Sequence, residues 1–185
     1  MKAALLSPKD FRRTRWKNGR GWSNDIAVSP DGEQRWPRMR WLLTLSDIAG
    51  DAPFSDLAGF ERSFLVAAGK GVELSFADGR RVRLLRNRRA FAFDGGSAPA
   101  CRVLDGPVQA LNIMTRRGRA AHRLRLQRVP RGKVQMRFAA GTSFLYPLDA
   151  ALAGVPAGHA LRIEGPGRLA LSVRRGGMVY RVAIT

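Results

Sequence analysis

The feature that most constrains this chain is the regular interruption of short β-like runs by glycine, proline, asparagine and aspartate. No window of 12 or more residues carries the i, i+3, i+4, i+7 apolar pattern of a surface helix without a glycine or proline break. Strand-like runs recur instead, at about the 8–12-residue spacing of sandwiches and barrels. They run from 22–29 and 40–48 through 62–68, 72–76, 81–85, 89–93, 101–104 and 110–115 in the first part. The second part continues with 123–129, 134–138, 143–146, 160–164, 169–174 and 178–184. Asp78-Gly79 between two such runs predicts a hairpin. Pro30-Asp31-Gly32 predicts a turn in which proline presets one φ angle. About fourteen strands exceed what one open sheet holds without curling or closing. The expected architecture is all-β, two small barrels or sandwiches in tandem with little helix. They divide as 1–120 and a smaller 121–185, with the join near Gly118–His122 and the two packed together. Leu148–Gly154 is the best helical candidate, for one or two turns.

Composition narrows the class. Hydrophobic residues make up 45% and charged residues 25%, as in ordinary globular proteins. No apolar run approaches the ~20 residues that span a bilayer. The apolar run Ala3–Leu6 is shorter than the roughly 7–15 residues of a signal-peptide core. The one cysteine, Cys101, excludes an intramolecular disulfide and reads as a small buried residue. These features together predict a cytoplasmic protein. The net charge is +19, from 28 arginines and 5 lysines against 14 acids. Such a field attracts polyanions or anionic metabolites, or it is arginine spread over solvated faces.

Three segments carry recognisable residues. The first is Trp16-Lys17-Asn18-Gly19-Arg20-Gly21-Trp22-Ser23-Asn24-Asp25-Ile26. The second is Trp41–Arg62, WLLTLSDIAGDAPFSDLAGFER, and the third is Gly106–Arg116, GPVQALNIMTR. In order and spacing they resemble the signature of the HutD/Ves family, bacterial proteins associated with histidine utilisation. The resemblance covers roughly residues 5–120. It implies a bicupin, two cupin-like β-barrels in one chain, and an accessory or regulatory role through a small anionic intermediate of histidine breakdown. The chain departs from the pattern at Arg20, Leu42, Ala58 and Ala110, where the family has glycine, arginine, proline and aspartate. If that arginine and aspartate pair, their joint loss is physically sensible. If the arginine grips a carboxylate, this chain binds something else or uses Arg20.

Strand parity groups the candidate site residues, because residues two apart share a face. Asn112, Met114 and Arg116 point together, an amide, a thioether and a guanidinium lining a polar-ended pocket. Arg116 either forks onto a carboxylate or begins the basic turn Arg116–Arg119. Leu42, Thr44 and Ser46 share a face, giving two hydroxyls either to a ligand or to solvent. Arg62 at a strand start is expensive to bury unless paired, so Asp25, Glu61 or a ligand should meet it. Trp16 and Trp22 are pocket walls or core. Asn18 and Gly19 fix the turn, with ligand contact a second role.

Metal-binding cupins bring two or three histidines and a carboxylate together. Here His122 and His159 are the only histidines and no H-x-H spacing exists, so no metal or cofactor is expected. Nucleophile motifs are absent. The expected function is a small-molecule-binding accessory or regulatory protein holding an anionic metabolite linked to histidine utilisation. One alternative is a metal-free cupin enzyme with Asp25 or Glu61 as base. Another is a polyanion or nucleic-acid binder through Arg80, Arg81, Arg83, Arg86, Arg88 and Arg89. A homodimer stays open.

Overall fold

A computed structural model describes residues 1–86, 89–148, 152 and 154–185. In chain order the first strands are β1 (Lys2–Leu6), β2 (Arg12–Arg15), β3 (Trp22–Ser29), β4 (Trp41–Ile48), β5 (Ala52–Pro53) and β6 (Phe60–Ala68). Then come β7 (Gly71–Ser75), β8 (Arg81–Leu85), β9 (Phe91–Asp94), β10 (Ala100–Val103), β11 (Val108–Arg116) and β12 (His122–Val129). The last are β13 (Gly132–Phe138), β14 (Thr142–Pro147), β15 (Ala160–Glu164), β16 (Gly167–Val173) and β17 (Gly177–Ile184). The only helical elements among the described residues are three 3-10 turns, at Pro8–Asp10, Trp36–Arg38 and Gly95–Ser97. All described pairing is antiparallel, so the protein is all-β with almost no helix, as the turn spacing predicts. Most of the Leu148–Gly154 helical candidate lies outside the described residues. No described helix is long and apolar enough to cross a membrane.

The contacts divide the chain into two compact units, Arg12–Ala121 and Met1–Phe11 with His122–Thr185. The sequence division at 120 therefore needs correcting at the front. Met1–Phe11 goes with the later residues because β1 pairs with β15 along its whole length, from Lys2 opposite Glu164 to Leu6 opposite Ala160. Nothing in a short run such as KAALL signals a partner so distant in sequence.

In the Arg12–Ala121 unit one sheet runs β2-β3-β4-β11-β6-β9 and a second runs β5-β10-β7-β8. The Asp78-Gly79 hairpin forms between β7 and β8. The core between apolar faces includes Ile48, Phe54, Phe64, Val72, Leu74, Phe93 and Val108. Cys101 lies in this core, and burial pushes its thiol up to about 12, so it stays protonated and inert. A second cluster gathers Val28, Met39, Leu42, Leu57, Phe60 and Met114. A bulge at Ile26 interrupts the β3–β4 register between Asp25 and Ala27. The extra residue flips the alternation, so Ser23, Asp25 and Val28 all present one face.

In the other unit the sheet order is β1-β15-β14-β17-β12, beside the two-stranded β13-β16. Its core includes Val129, Met136, Phe138, Leu145, Leu161, Ile163 and Val179.

Candidate functional site

The face of the first sheet that carries Ser23, Asp25, Leu42, Thr44, Ser46, Arg62, Asn112 and Met114 lines a cavity of about 50 Å³. At roughly 10–15 Å³ per water, that space holds about three to five waters or a group the size of a carboxylate. Register explains why these side chains meet. Asp25 lies opposite Thr44, Thr44 opposite Asn112, and Met114 opposite both Leu42 and Arg62. Strand parity groups Leu42 with Thr44 and Ser46, and Asn112 with Met114, and Thr44 and Ser46 point into the cavity rather than to solvent.

The polar groups form a hydrogen-bonded chain across the strands. The Trp16 indole donates to Ser23 Oγ at 3.0 Å, and Ser23 Oγ meets Ser46 Oγ at 2.8 Å. Ser46 Oγ lies 3.1 Å from Thr44 Oγ1 and accepts from Asn112 Nδ2 at 3.0 Å. Asn112 Oδ1 accepts from Arg62 Nη2 at 3.2 Å.

Arg62 ends this chain. Its guanidinium lies 4.8 Å from the Phe54 ring and 5.1 Å from the Phe93 ring. It is only 6% exposed, and its Nε and Nη1 are buried with no hydrogen-bond partner among the described residues. Burial pulls its pKa down to about 10, so it remains a cation at neutral pH. The acid expected beside it is not there. Glu61 is exposed and accepts from Arg117 Nε at 2.6 Å. Asp25 is held by Arg12 at 3.2 Å and by the Thr14 hydroxyl at 3.0 Å. A buried cation without an anion is costly unless a ligand supplies one. Desolvation raises the Asp25 pKa above the ordinary carboxylate value, against the smaller lowering by Thr14 and Arg12.

Two predicted site residues lie elsewhere. Arg116 shares parity with Asn112 and Met114, but it ends the strand and its long side chain turns away. Its Nε donates to Met39 O at 3.0 Å and its Nη2 to Trp36 O at 2.6 Å, with the guanidinium 4.5 Å from the Phe60 ring. It therefore fixes the segment from which Trp36 reaches the cavity wall. Asn18 is exposed and braces its loop, donating from Nδ2 to Pro53 O at 2.9 Å and accepting Arg20 N–H at 3.1 Å. Trp16 is both wall and packing, edge-on to Phe54 at 6.2 Å. Trp22 is neither. It is 40% exposed, with the Arg13 and Arg15 guanidiniums each 5.2 Å from its ring. Arg20 is exposed and outside the lining, so it does not substitute for the arginine missing at Leu42. Leu42 faces Met114 while Ala110 faces Ser46, so side chains at 42 and 110 stand two same-face steps apart and are not natural partners.

Sequence reasoning missed Thr14, Lys17, Trp36, Phe54 and Ser55 in the lining. None of them stood in a run that alternation marked as a strand, Thr14 included, since RRTR of β2 has no apolar alternation. Among the described residues, no three His, Cys, Asp or Glu side chains cluster as a metal site. In the arginine-rich hairpin, Arg81 and Arg83 are exposed and Arg80 stacks 4.4 Å over Phe76, while Arg88 lies outside the described residues.

Comparison with known proteins places this geometry in context. The sequence profile described as HutD matches residues 8–180. An uncharacterized 21.2 kDa protein in the hutC 3' region of Pseudomonas putida is 34% identical over 110 residues, 60% of this chain and 56% of that protein. Protein Ves of Citrobacter koseri is 30% identical over 112 residues, 60% of this chain and 56% of its own length. The matched stretch thus spans little more than half of either relative. The structure of HutD from Pseudomonas fluorescens SBW25, in a formate condition, superposes with a TM-score of 0.80 at 28% identity, covering 100% of this chain and 98% of that one. A cupin 2 conserved barrel domain protein from Leptotrichia buccalis aligns at TM-score 0.60 and 10% identity over 100% of this chain and 98% of its own, a likeness of fold alone. With its profile matched over nearly its whole length, this cupin-like chain belongs to the HutD family.

Proposed function

We propose that the protein is a non-catalytic accessory or regulatory factor that binds a small carboxylate linked to histidine utilisation in the cavity of the Arg12–Ala121 unit. The observation that carries this reading is Arg62, a buried cation whose Nε and Nη1 lack partners among the described residues. The cavity suits a carboxylate head group in volume, and Asn112 and Thr44 line it with further polar groups. We read the two units as cupin-like barrels, the first holding the ligand.

The test is thermal unfolding with formate, N-formylglutamate or urocanate, in the parent and in Arg62→Met. Saturation at about 100 times Kd stabilises by about 2.7 kcal/mol, a readily measured rise in Tm. No shift with any of these acids, or an equal shift in Arg62→Met, sinks the proposal.

Asp25 favours a second reading, a metal-free acid–base enzyme. It is a buried carboxyl in the cavity with a raised pKa, as a general base requires. Turnover of a bound acid that Asp25→Asn abolishes while binding survives selects this reading over the first.

A further inference from the structure

The Met1–Phe11 and His122–Thr185 unit is poor in acids. It carries two lysines in residues 1–11 and eleven basic residues in 122–185, against Asp10, Asp149 and Glu164. Asp10 accepts the Ser7 N–H at 2.9 Å inside its own turn. Glu164 accepts Arg162 Nε at 2.6 Å and the Thr142 hydroxyl at 2.9 Å. Asp149 lies outside the described residues. No described acid pairs with an arginine of β12 or β17.

Three of those arginines share one face. Arg125 lies directly opposite Arg181, Arg123 lies opposite Ala183, and parity puts all four on the side of Val129 and Val179. That side is the core face, since Val129, Val179 and Leu145 pack in it and Leu145 lies opposite Arg181. Towards Arg123 the face opens to solvent. Arg181 is half-buried, with its guanidinium 4.8 Å from the Phe138 ring and its Nη2 donating to Arg137 O. Burial first, and the charge of Arg125 second, lower the Arg181 pKa, so the two cations feel each other. Like charges directly opposite across strands destabilise a sheet. β12 is also the last strand of its sheet among the described residues.

We propose that Arg123, Arg125 and Arg181 form a binding site for phosphate groups, carried by a phosphorylated metabolite or by a nucleic-acid backbone. A multiply charged oxyanion relieves the repulsion between cations on opposite strand positions and engages their forked donors. A monocarboxylate neutralises only one cation. Phe138 and the Arg137 carbonyl hold Arg181 in place, which reduces the ordering cost of binding. The competing explanation is that charge on β12 only blocks edge-to-edge aggregation.

The experiment titrates the full chain with tripolyphosphate by calorimetry and with a labelled single-stranded RNA oligonucleotide by anisotropy. Arg125→Gln and Arg181→Gln should each weaken tripolyphosphate binding roughly tenfold. Arg81→Gln removes the same charge from β8, outside the proposed cluster, and should change affinity by less than about twofold. Arg123→Gln and Arg125→Gln alter exposed side chains, so they carry the test if Arg181→Gln fails to fold. RNA binding whose log affinity falls with log salt at a slope of about −2, as three single-strand phosphate contacts require, identifies the nucleic-acid backbone. Tripolyphosphate binding without RNA binding identifies a small phosphorylated ligand. Absence of both at low salt, or equal weakening by Arg81→Gln and Arg125→Gln, overturns the proposal.

Discussion

Arg62 occupies a position that folding alone would fill with a hydrophobe. Phe54 and Phe93 flank it, Asn112 takes one of its donors, and two nitrogens lack partners among the described residues. Arg62→Met should therefore fold at least as stably as the parent, by up to about 2 kcal/mol in urea unfolding, because a buried unpaired charge is removed. A loss of more than ~1 kcal/mol would mean that the cation holds the fold together rather than awaiting an anion. Anion affinity should hold steady around neutrality and fall as pH rises through about 10, where Arg62 loses its proton. Asp25 behaves oppositely to a salt-bridged acid. Its pKa is raised, so its contribution to stability is full below the unfolded value near 3.8 and is lost as pH rises through the folded value. Asp25→Asn should then gain in Tm relative to the parent between pH 4 and pH 7; a constant difference across that range would show that desolvation is not the dominant influence.

The Trp16–Gly21 loop is an element with two kinds of glycine. Gly19 has φ +72 and nothing near its missing Cβ, so Gly19→Ala meets only the cost of left-handed backbone, about 1 kcal/mol. A Cβ on Gly21 would lie 2.7 Å from the Trp16 ring. Gly21→Ala should displace the indole from Ser23, shift tryptophan fluorescence and weaken ligand binding, whereas Gly19→Ala should lower stability and leave affinity near the parent's. Equal affinities in both variants would remove Trp16 from the site. Alternation and turn chemistry made most of this element order legible, including both edges of β3, β8 and β15. They made the grouping of side chains on β4 and β11 legible too, because parity is local, but not which group faces the cavity. Parity does not fix where a long side chain ends, which is why Arg116 reaches the Met39 and Trp36 carbonyls instead of the cavity. Nor does it reveal β2, whose RRTR sequence has no apolar alternation and is recruited by pairing with β3.

For the whole molecule the net charge of +19 is a destabilising field that salt screens. Raising NaCl from about 20 mM to about 300 mM should raise Tm, as the Debye length shortens from over 20 Å to under 10 Å. A fall in Tm would mean that surface ion pairs such as Arg117 with Glu61 and Asp94 outweigh the repulsion. The grouping of Met1–Phe11 with His122–Thr185 was beyond sequence reasoning, since strand signals carry no address. It also orders events on the ribosome. Lys2–Leu6 emerges early but finds Ala160–Glu164 only after more than 150 further residues have been translated, by which time Arg12–Ala121 has its full complement of strands. During that interval the segment waits without a strand partner, and its backbone ladder closes only once the last third of the chain has been made.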